Sequence, residues 1–255
     1  MIIKKFNKEN YSDSKSYRVI SLLNCLDKIS ERIIAERLSY FAETTDLLHY
    51  DQIDNRKQKS AIDAAISLLS DIEINKHEKK LTSVLFLDIK SAYDHLNKSQ
   101  MIKICKNAKL SSACINWIHS FLTNRRVQLA FDGEIMNKST NIHVGTPQGS
   151  PVSPILWLIY TNQLYKSNNH LNVRIPSYSD DIAIIAASKS IKENCNKLQN
   201  AAKSLVEWGK LHNIQFDVKK TELIHFDSSK KSMKYSVKFM KNSILSQEIV
   251  RYLRI

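Results

Sequence analysis

The feature that most constrains the fold is the short apolar run TSVLFLDI at residues 82–89, in which Asp88 is the one charged residue. An apolar run of this length without polar alternation is typical of a strand that is covered on both faces of its sheet. Such a strand needs other strands beside it and helices packed against it. The chain is therefore expected to build a sheet around this segment and to pack helices on that sheet.

Capping residues and helical spacing predict the helices. Ser21 or Asn24 can cap a helix that runs to about Phe41, and Ser60 can cap a second one that ends near Asn75. Two short helices are expected at about 98–108 and 111–122, one that starts with Ser153 as N-cap and Pro154 in the first helical position, and a long one from Ser190 to about His212. The apolar residues at helical spacing are Leu26, Ile29, Ile33 and Leu38 in the first helix, and Ile62, Ala65, Ile66, Leu69 and Ile72 in the predicted buried stripe of the second.

Turn residues predict the remaining strands. Residues 125–134 are expected to form part of a hairpin with Asp132-Gly133 as its turn, and residues 173–187 a strand, a tight turn and a second strand. Short strands are expected near 214–217 and 221–226, whereas the polar segment 51–60 predicts a loop or hairpin. The fold class is α+β, with helices packed on an antiparallel sheet.

The segment GTPQGSPVSP at residues 145–154 is unusual in this chain. The sequence has only four Gly and four Pro, and five of these eight residues lie here: Gly145, Pro147, Gly149, Pro151 and Pro154. Because Gly permits unusual backbone angles and close approach while Pro fixes φ, the segment is expected to hold one particular shape. Either a rigid loop before a helix or a platform for a ligand fits this pattern.

Charge and cysteine content limit the class of protein. The net charge of +13 favours a polyanionic partner, and nucleic acid before a membrane. The four cysteines are far apart and lie among apolar helical positions, which predicts reduced core thiols rather than a zinc site. Neither a secretory signal nor an 18-residue apolar stretch occurs in the sequence, so an intracellular location, nucleus or cytoplasm, is expected.

Three carboxylates stand where strands end or turn. Asp88 closes the buried run, and Asp180-Asp181 lie in the predicted turn within residues 173–187. If the two segments are neighbours in one sheet, the carboxylates come close together and repel one another unless a cation neutralises them. Oxygen ligands of this kind suit Mg²⁺, and two such ions can activate a hydroxyl and stabilise a leaving pyrophosphate. The pattern therefore indicates nucleotidyl transfer.

Seven blocks, in order, resemble the reverse transcriptases of non-long-terminal-repeat retrotransposons. Three carry the active-site motifs: LFLDIKSAYD (85–94), GTPQGSPVSPILW (145–157) and YSDD (178–181). The others are YRVISLLNCLDKISERIIAERL (17–38), DQIDNRKQKSAIDA (51–64), SFLTNRRVQLAFDGE (120–134) and FDVKKTELIHF (216–226). Group II intron and other mobile-element reverse transcriptases share this palm, but the block at 17–38 favours the retrotransposon type. RNA-dependent RNA polymerases also use paired aspartates, although Tyr93 and the Gln148 loop point away from them.

The resemblance implies the right-hand architecture of polymerases, with fingers and palm and without a thumb. It divides the chain into an N-terminal extension, 1–16, and a reverse transcriptase domain, 17–255. The fingers would comprise about 17–80 and parts of 110–145, and the palm about 81–109 and 146–255. The implied activity is RNA-directed DNA polymerisation with an RNA template, a DNA primer, deoxynucleoside triphosphates and two Mg²⁺ ions, which Mn²⁺ can replace. The resemblance implies no membrane partner and leaves the oligomeric state open.

The resemblance also assigns roles to residues. Asp88 and Asp180 would be the principal metal ligands, Asp181 would support the second ion, and the carbonyl of Ile89 would add an oxygen. Tyr93 matches the aromatic gate beneath the incoming sugar. The remaining assignments are Gln148 and Gly149 at the nascent base pair, Arg56 and Lys220 near the triphosphate or template, and Tyr178 and Ser179 near the primer end. For Arg56 and Lys220 the competing interpretation is an ordinary solvated surface cation.

Several positions depart from the family pattern. The family usually carries Gly where this chain has Asp54, Gln58 and Arg254. Larger residues at the first two positions are expected to disturb a tight turn. These departures, together with the expected lack of a thumb and of a nuclease segment, leave an alternative open: a weak or inactive remnant that only binds nucleic acid.

Overall fold

The computed structural model describes residues 1–6, 10–13, 16–168, 171–227 and 230–253. The chain divides into two compact units. The first unit is Met1–Thr45 with Tyr93–Tyr160, and the second is Asp46–Ala92 with Thr161–Ile255. Within the described ranges no helix is both long enough and apolar enough to cross a membrane. The boundaries of these two units differ from the predicted boundaries of fingers and palm. The division into fingers and palm therefore stays a prediction.

The helices lie close to their predicted positions. They are α1 (Cys25–Thr44), α2 (Ala61–His77), α3 (Lys98–Asn107), α4 (Ser112–Phe121), α5 (Val152–Asn168) and α6 (Ile191–His212), with short 3₁₀ turns at Ala92–Asp94, Val218–Lys220 and Lys230–Lys234. Asn24 caps α1, since its side-chain oxygen accepts from the Asp27 amide at 2.8 Å. Ser60 caps α2 in a capping box with Asp63. The capping signals therefore located both helix starts.

The strands are β1 (Ile2–Lys4), β2 (Tyr17–Val19), β3 (Leu81–Lys90), β4 (Arg125–Phe131), β5 (Glu134–Ile142), β6 (Ser177–Tyr178), β7 (Asp181–Ser188), β8 (Gln215–Phe216), β9 (Glu222–Phe226), β10 (Ser236–Phe239) and β11 (Asn242–Leu245). All the pairings between these strands are antiparallel. The predicted hairpin turn at Asp132-Gly133 joins β4 to β5. The pairs β1–β2 and β10–β11 lack a strong local signal and were not predicted.

The central sheet of the second unit is built around β3. This strand pairs with β7 along one side and with β9 and β8 along the other. On one face, Leu68 and Ile72 of α2 pack against Val84 and Phe86. On the other face, α6 crosses the sheet, and the Asn194 side chain bonds to the Leu81 carbonyl and to Ser83. The prediction of a strand buried on both faces is confirmed.

The exposed faces of α1 and α2 contradict the predicted apolar stripes. In α1, Leu26 is 79% exposed, and Ile29 and Ile33 also face solvent; the helix buries Leu38, as predicted, together with Glu31 and Ala42. In α2, Ile62, Ile66 and Leu69 are exposed and Ala65 is half-buried, while Ala64, Leu68 and Ile72 face the sheet. Both helices are apolar on more than one side, so spacing alone could not show which side has a partner.

Two local predictions were wrong. The helix α5 begins at Val152 rather than after Ser153, because the buried Ser150 hydroxyl accepts from the Val152 amide at 3.1 Å. The Ser153 hydroxyl instead donates to the Pro147 carbonyl, at 2.9 Å. Cys25 is exposed at the start of α1 and is not a core thiol, whereas Cys105 and Cys195 are buried.

Candidate active site

The second unit brings the three predicted carboxylates to one end of its sheet. Asp88 and Asp181 are directly opposite each other in the β3–β7 ladder. Asp180 lies in the two-residue turn between β6 and β7, and its carbonyl accepts from the Ile89 amide at 2.9 Å. The turn is thus Ser179-Asp180, one residue earlier than predicted, and Asp181 already belongs to β7. Backbone pairing therefore places all three residues side by side.

Asp88 is half-buried and is neutralised by a neighbouring lysine. Lys220, which ends a 3₁₀ turn, donates from Nζ to Asp88 Oδ2 at 2.8 Å. Burial raises the pKa of Asp88 in spite of this ion pair, and the charge of Asp180 adds to the rise. Burial lowers the pKa of Lys220, but the bond to Asp88 and the nearby carboxylates outweigh it and raise that pKa overall. Because the Lys220 side chain is 62% exposed and that of Asp88 only 14%, the pair is accessible from the lysine side.

A tight turn holds Asp180 between the two strands. Ser179 has a φ of +58°, in the left-handed region. The Tyr178 hydroxyl and the Ser179 side chain both hydrogen-bond to Asp54, which is 7% exposed and close enough to Asp180 for their charges to interact. Asp54 was predicted to disturb a tight turn. Its φ is not in the left-handed region, which is occupied by Asn55 and Gln58 instead.

The donor set fits a hard divalent cation in its chemistry. Carboxylate oxygens at facing strand positions are the ligands that Mg²⁺ prefers. Across the residues that the structure describes, no three acidic, histidine or cysteine side chains are already gathered as metal ligands. Lys220 occupies one oxygen of Asp88, so a cation that binds Asp88 there has to displace the Lys220 ammonium.

A pocket of about 400 Å³ opens beside these carboxylates within the second unit. Its floor is apolar, with Phe86 and Tyr252 packed ring against ring at 5.0 Å between centroids. Its charged lining residues are Asp88, Asp181, Glu222, Lys219, Lys220 and Arg251. The cationic residues of the pocket can bind phosphate oxygens, and its acidic residues can bind a metal ion.

The first unit contains the Gln148 loop, residues 145–154. The Gln148 side chain donates from Nε2 to Asp94 Oδ1 at 3.1 Å, and its carbonyl accepts from the Ser21 amide at 2.8 Å. Gly149, at φ +107°, would bring an added Cβ to 3.3 Å from the Ser21 carbonyl. Gly145, at φ +76°, leaves even less room, since its Cβ would lie 2.7 Å from the Asp94 carbonyl. Close backbone approach explains both glycines.

Buried side-chain contacts also hold this loop. The Ser150 hydroxyl donates to the Glu31 carboxylate, and Glu31 is 5% exposed on α1. Burial raises the pKa of Glu31, although the bond from Ser150 opposes that rise. At the other end of the loop, Arg125 donates to the Gly145 carbonyl. The loop is therefore anchored to α1 and to the start of β4.

Tyr93 lies in the same unit, on the 3₁₀ turn Ala92–Asp94. Its carbonyl accepts from the Thr146 amide at 2.7 Å, and its ring is tilted against Trp157 with 5.9 Å between centroids. A groove of about 420 Å³ runs past Tyr93, Gln148 and Gly149 and is lined further by Arg18, Ile20 and Pro154. The structure thus brings the predicted gate and the Gln148 loop together along one groove.

The other predicted residues differ in their surroundings. Arg56 donates from Nη1 to the carbonyls of His49 and Gln52, at 3.1 and 3.2 Å, and so turns back onto its own loop. Arg254 lies outside the described residues.

Sequence reasoning missed Glu31 and Asp54 as site residues. The signal available for Glu31 was a carboxylate on an apolar helix, and for Asp54 it was the departure from the family's Gly.

Comparison with known proteins agrees with this arrangement. The family model described as reverse transcriptase (RNA-dependent DNA polymerase) matches residues 3–253. The probable RNA-directed DNA polymerase from transposon X-element of Drosophila melanogaster is 26% identical over 83% of this chain and 23% of its own length. The RNA-directed DNA polymerase from mobile element jockey of Drosophila funebris is 28% identical over 85% of this chain and 24% of its own length. The chain spans about a quarter of these relatives.

The solved structures show the same polymerase fold. Apo telomerase from Candida tropicalis, truncated from its C-terminal domain, superposes with a TM-score of 0.60 at 16% identity, over 86% of this chain and 44% of that one. A second apo telomerase structure from the same organism gives 0.59 at 14% identity, over 85% of this chain and 38% of that one. The predicted α+β fold of polymerase fingers and palm is confirmed. The chain belongs to the reverse transcriptase family, and its relatives are polymerases of non-long-terminal-repeat retrotransposons.

Proposed function

We propose that this chain carries out RNA-directed DNA polymerisation, as a portion of a retrotransposon polymerase. The reaction joins a deoxynucleotide to the 3′-hydroxyl of a DNA primer opposite an RNA template and releases pyrophosphate. The observation that carries the proposal is the direct pairing of Asp88 with Asp181 in the β3–β7 ladder, with Asp180 in the adjoining turn. This arrangement sets three carboxylates at the end of a rigid sheet beside a pocket with cationic residues.

The proposed cofactor is a pair of Mg²⁺ ions, and Mn²⁺ is a substitute. Reverse transcriptases generally use a divalent metal. Asp88 and Asp180 would hold the ions, with Asp181 and the Ile89 carbonyl as further oxygen ligands. When bound, such ions lower the pKa of the primer hydroxyl and stabilise charge on the leaving pyrophosphate.

Cations of the second unit suit the triphosphate. Lys219, Lys220 and Arg251 line the pocket at Asp88, and each can donate to phosphate oxygens. Lys220, once a metal ion has displaced it from Asp88, can place its ammonium on the leaving pyrophosphate and donate a proton to it. Arg56 is a candidate for a template or triphosphate contact once it leaves the carbonyls of its own loop.

Side chains of the first unit suit the base and the sugar. The groove along Gln148 and Gly149 is apolar enough to take the face of a base pair, and Asp94 fixes the Gln148 amide. The Tyr93 ring, supported by Trp157, would clash with a ribose 2′-hydroxyl and so favour deoxynucleotides. Tyr178 and Ser179 in the second unit would lie near the primer end.

Primer extension on an RNA template with Mg²⁺ and deoxynucleotides tests the proposal. We expect extension by the parent chain and a loss of at least about a thousandfold in Asp180→Asn, because the metal-binding charge is removed. Asp132→Asn is the matched control, since Asp132 lies in the exposed β4–β5 turn, and it should extend primers like the parent. Equal extension by Asp180→Asn would contradict the proposal. Salt-dependent RNA–DNA binding without extension would support the remnant alternative.

A further inference from the structure

We infer that Asp54 is a positioning residue: its buried carboxylate holds the hydroxyls of Tyr178 and Ser179 and so fixes the turn that carries Asp180. The catalytic consequence of this inference rests on the proposed function. The structural part does not, because it concerns contacts inside the second unit. Neither the composition nor the family pattern predicted this role, since the family usually has Gly at this position.

Backbone pairing delivers Asp54 to the turn. The Ser177 amide donates to the Asp51 carbonyl at 2.9 Å, and the Ile53 amide donates to the Ser177 carbonyl at 3.1 Å. Gln52 forms a parallel bridge with Ser177. Residues 51–53 therefore run beside β6 as an additional edge, and in this parallel register Asp54, the next residue, reaches the level of Ser179 in the turn.

Polar side-chain contacts hold residues 51–53 beside β6. Arg174 donates from Nε to Asp51 Oδ1 at 2.7 Å, and its two terminal nitrogens donate to Asp71 and to Ser67 of α2. Gln52 donates to the Thr161 hydroxyl at 3.1 Å. With Asp51 and Gln52 fixed in this way, the position of Asp54 is determined by the sheet and by α2.

The Asp54 carboxylate is buried, and hydroxyl and amide groups satisfy it. It accepts from the Tyr178 hydroxyl, from the Ser179 side chain, and from the backbone and side chain of Asn55. A buried carboxylate with several donors is stable where an unpaired one is not. Removing it takes away the acceptor that ties the half-buried Tyr178 and Ser179 to residues 51–54, so the turn loses its contacts on this side.

The turn needs such support because its geometry is strained. Ser179 has a φ of +58°, in the left-handed region that residues other than Gly, Asn and Asp rarely adopt. The Asp180 carbonyl is held from the β3 side by the Ile89 amide. Asp54 holds the same turn from the β6 side, so the backbone of Asp180 is fixed between two contacts.

Hydrogen exchange of the full chain without metal tests the structural part. In Asp54→Ala, we expect the amides in a peptide covering 177–182 to exchange at least tenfold faster, while those of α6 do not change. Tyr178→Phe, which removes one hydroxyl only, should show a smaller increase in the same peptide. The matched control is Glu73→Ala, an exposed carboxylate of α2, which should leave the peptide unchanged. Unchanged exchange at 177–182, or equal acceleration throughout the unit, would overturn the inference.

Primer extension tests the catalytic part. We expect Asp54→Ala to lower kcat about tenfold with little change in KM for the deoxynucleotide, and Asp54→Asn to retain most of kcat because its amide oxygen accepts both hydroxyls. The double variant Asp54→Ala/Tyr178→Phe should be no slower than Asp54→Ala, since both changes break one unit. Full activity of Asp54→Gly, or additive losses in the double variant, would refute the role. If the parent chain does not extend primers, the proposed function fails, and the exchange experiment still decides whether Asp54 holds the turn.

Discussion

The carboxylate cluster and the Gln148 loop are held by different interactions. Asp88 and Asp181 are placed by a backbone ladder, in which every neighbouring residue of β3 has a partner. The Gln148 loop is placed by single side-chain contacts, such as those from Glu31 to Ser150 and from Arg125 to Gly145. A ladder spreads its stability over many bonds, whereas a loop of this kind depends on a few. Asp88 and Asp181 in the ladder should therefore tolerate the loss of one polar contact much better than the Gln148 loop, whereas Asp180, in the turn, depends on single contacts as the loop does.

The largest expected effect is the loss of core packing under the carboxylates. Leu85 is fully buried and lies between Ile184 and Leu223 in the sheet. We expect Leu85→Ala to lower the free energy of unfolding by about 2–5 kcal/mol because of the cavity it leaves. Denaturant unfolding measures the loss, and Leu69→Ala, on the exposed face of α2, is the control. A loss below about 1 kcal/mol would show that the ladder does not depend on its core.

A substitution in the loop separates steric contact from backbone strain. Gly145 and Gly133 both have a positive φ, but only the Cβ added at Gly145 meets backbone, at 2.7 Å from the Asp94 carbonyl; that at Gly133 meets nothing within 4 Å. We expect Gly145→Ala to destabilise by about 1–3 kcal/mol more than Gly133→Ala, because backbone atoms have to move. Denaturant unfolding followed by tryptophan fluorescence measures both. Equal losses would mean that the loop can move away from Asp94 without cost.

The Glu31–Ser150 contact tests how far the loop depends on one hydrogen bond. We expect Glu31→Ala to destabilise by about 1–3 kcal/mol, since it leaves the buried Ser150 hydroxyl without its acceptor. Ser150→Ala should lose less when Glu31 is already replaced, and this coupling can be measured in a double-mutant cycle. Glu36→Ala, an exposed carboxylate on the same helix, is the control. Additive losses would show that the two side chains do not stabilise each other.

The smallest expected effects are changes of folding stability with pH. They have opposite signs for Glu31 in the first unit and His225 in the second. Burial raises the pKa of Glu31 above 4.5, so its contribution favours folding at pH values below 4.5 and is lost as pH rises through the folded pKa. Burial lowers the pKa of His225 below 6.5, so its contribution is present above 6.5 and is lost as pH falls through the folded pKa. His225 is held neutral between Ser83 and the Tyr235 carbonyl.

Unfolding at several pH values checks these signs. The stability difference between the parent and Glu31→Gln should change in favour of the variant as pH rises from 4 to 7. For His225→Gln it should change in favour of the variant as pH falls from 7 to 5. Each variant serves as the control for the other, because the two residues belong to different units. If the stability differences of both variants changed in the same direction with pH, the opposite pKa shifts of Glu31 and His225 would be contradicted.

Much of the ladder could be predicted from the sequence, and little of the side-chain anchoring. The unbroken apolar run at 82–89 indicated β3, and the caps Asn24 and Ser60 located two helices, because both signals are local in the chain. The exposed side of α1 could not be predicted, since Leu26 and Leu38 look alike until a partner is known. Asp54 and Glu31 were missed for the same reason: the hydroxyl groups that donate to their carboxylates lie more than a hundred residues away in the chain.

The central position of β3 has a consequence for how the second unit forms during synthesis. Leu85 must meet Ile184 on one side and Leu223 on the other, so the sheet cannot close before the ribosome has delivered the chain as far as Phe226. Contacts that are so distant in sequence slow folding. Until these contacts have formed, the apolar strand β3 remains unpaired. A nascent chain of this kind is a natural client for chaperones that bind extended apolar segments.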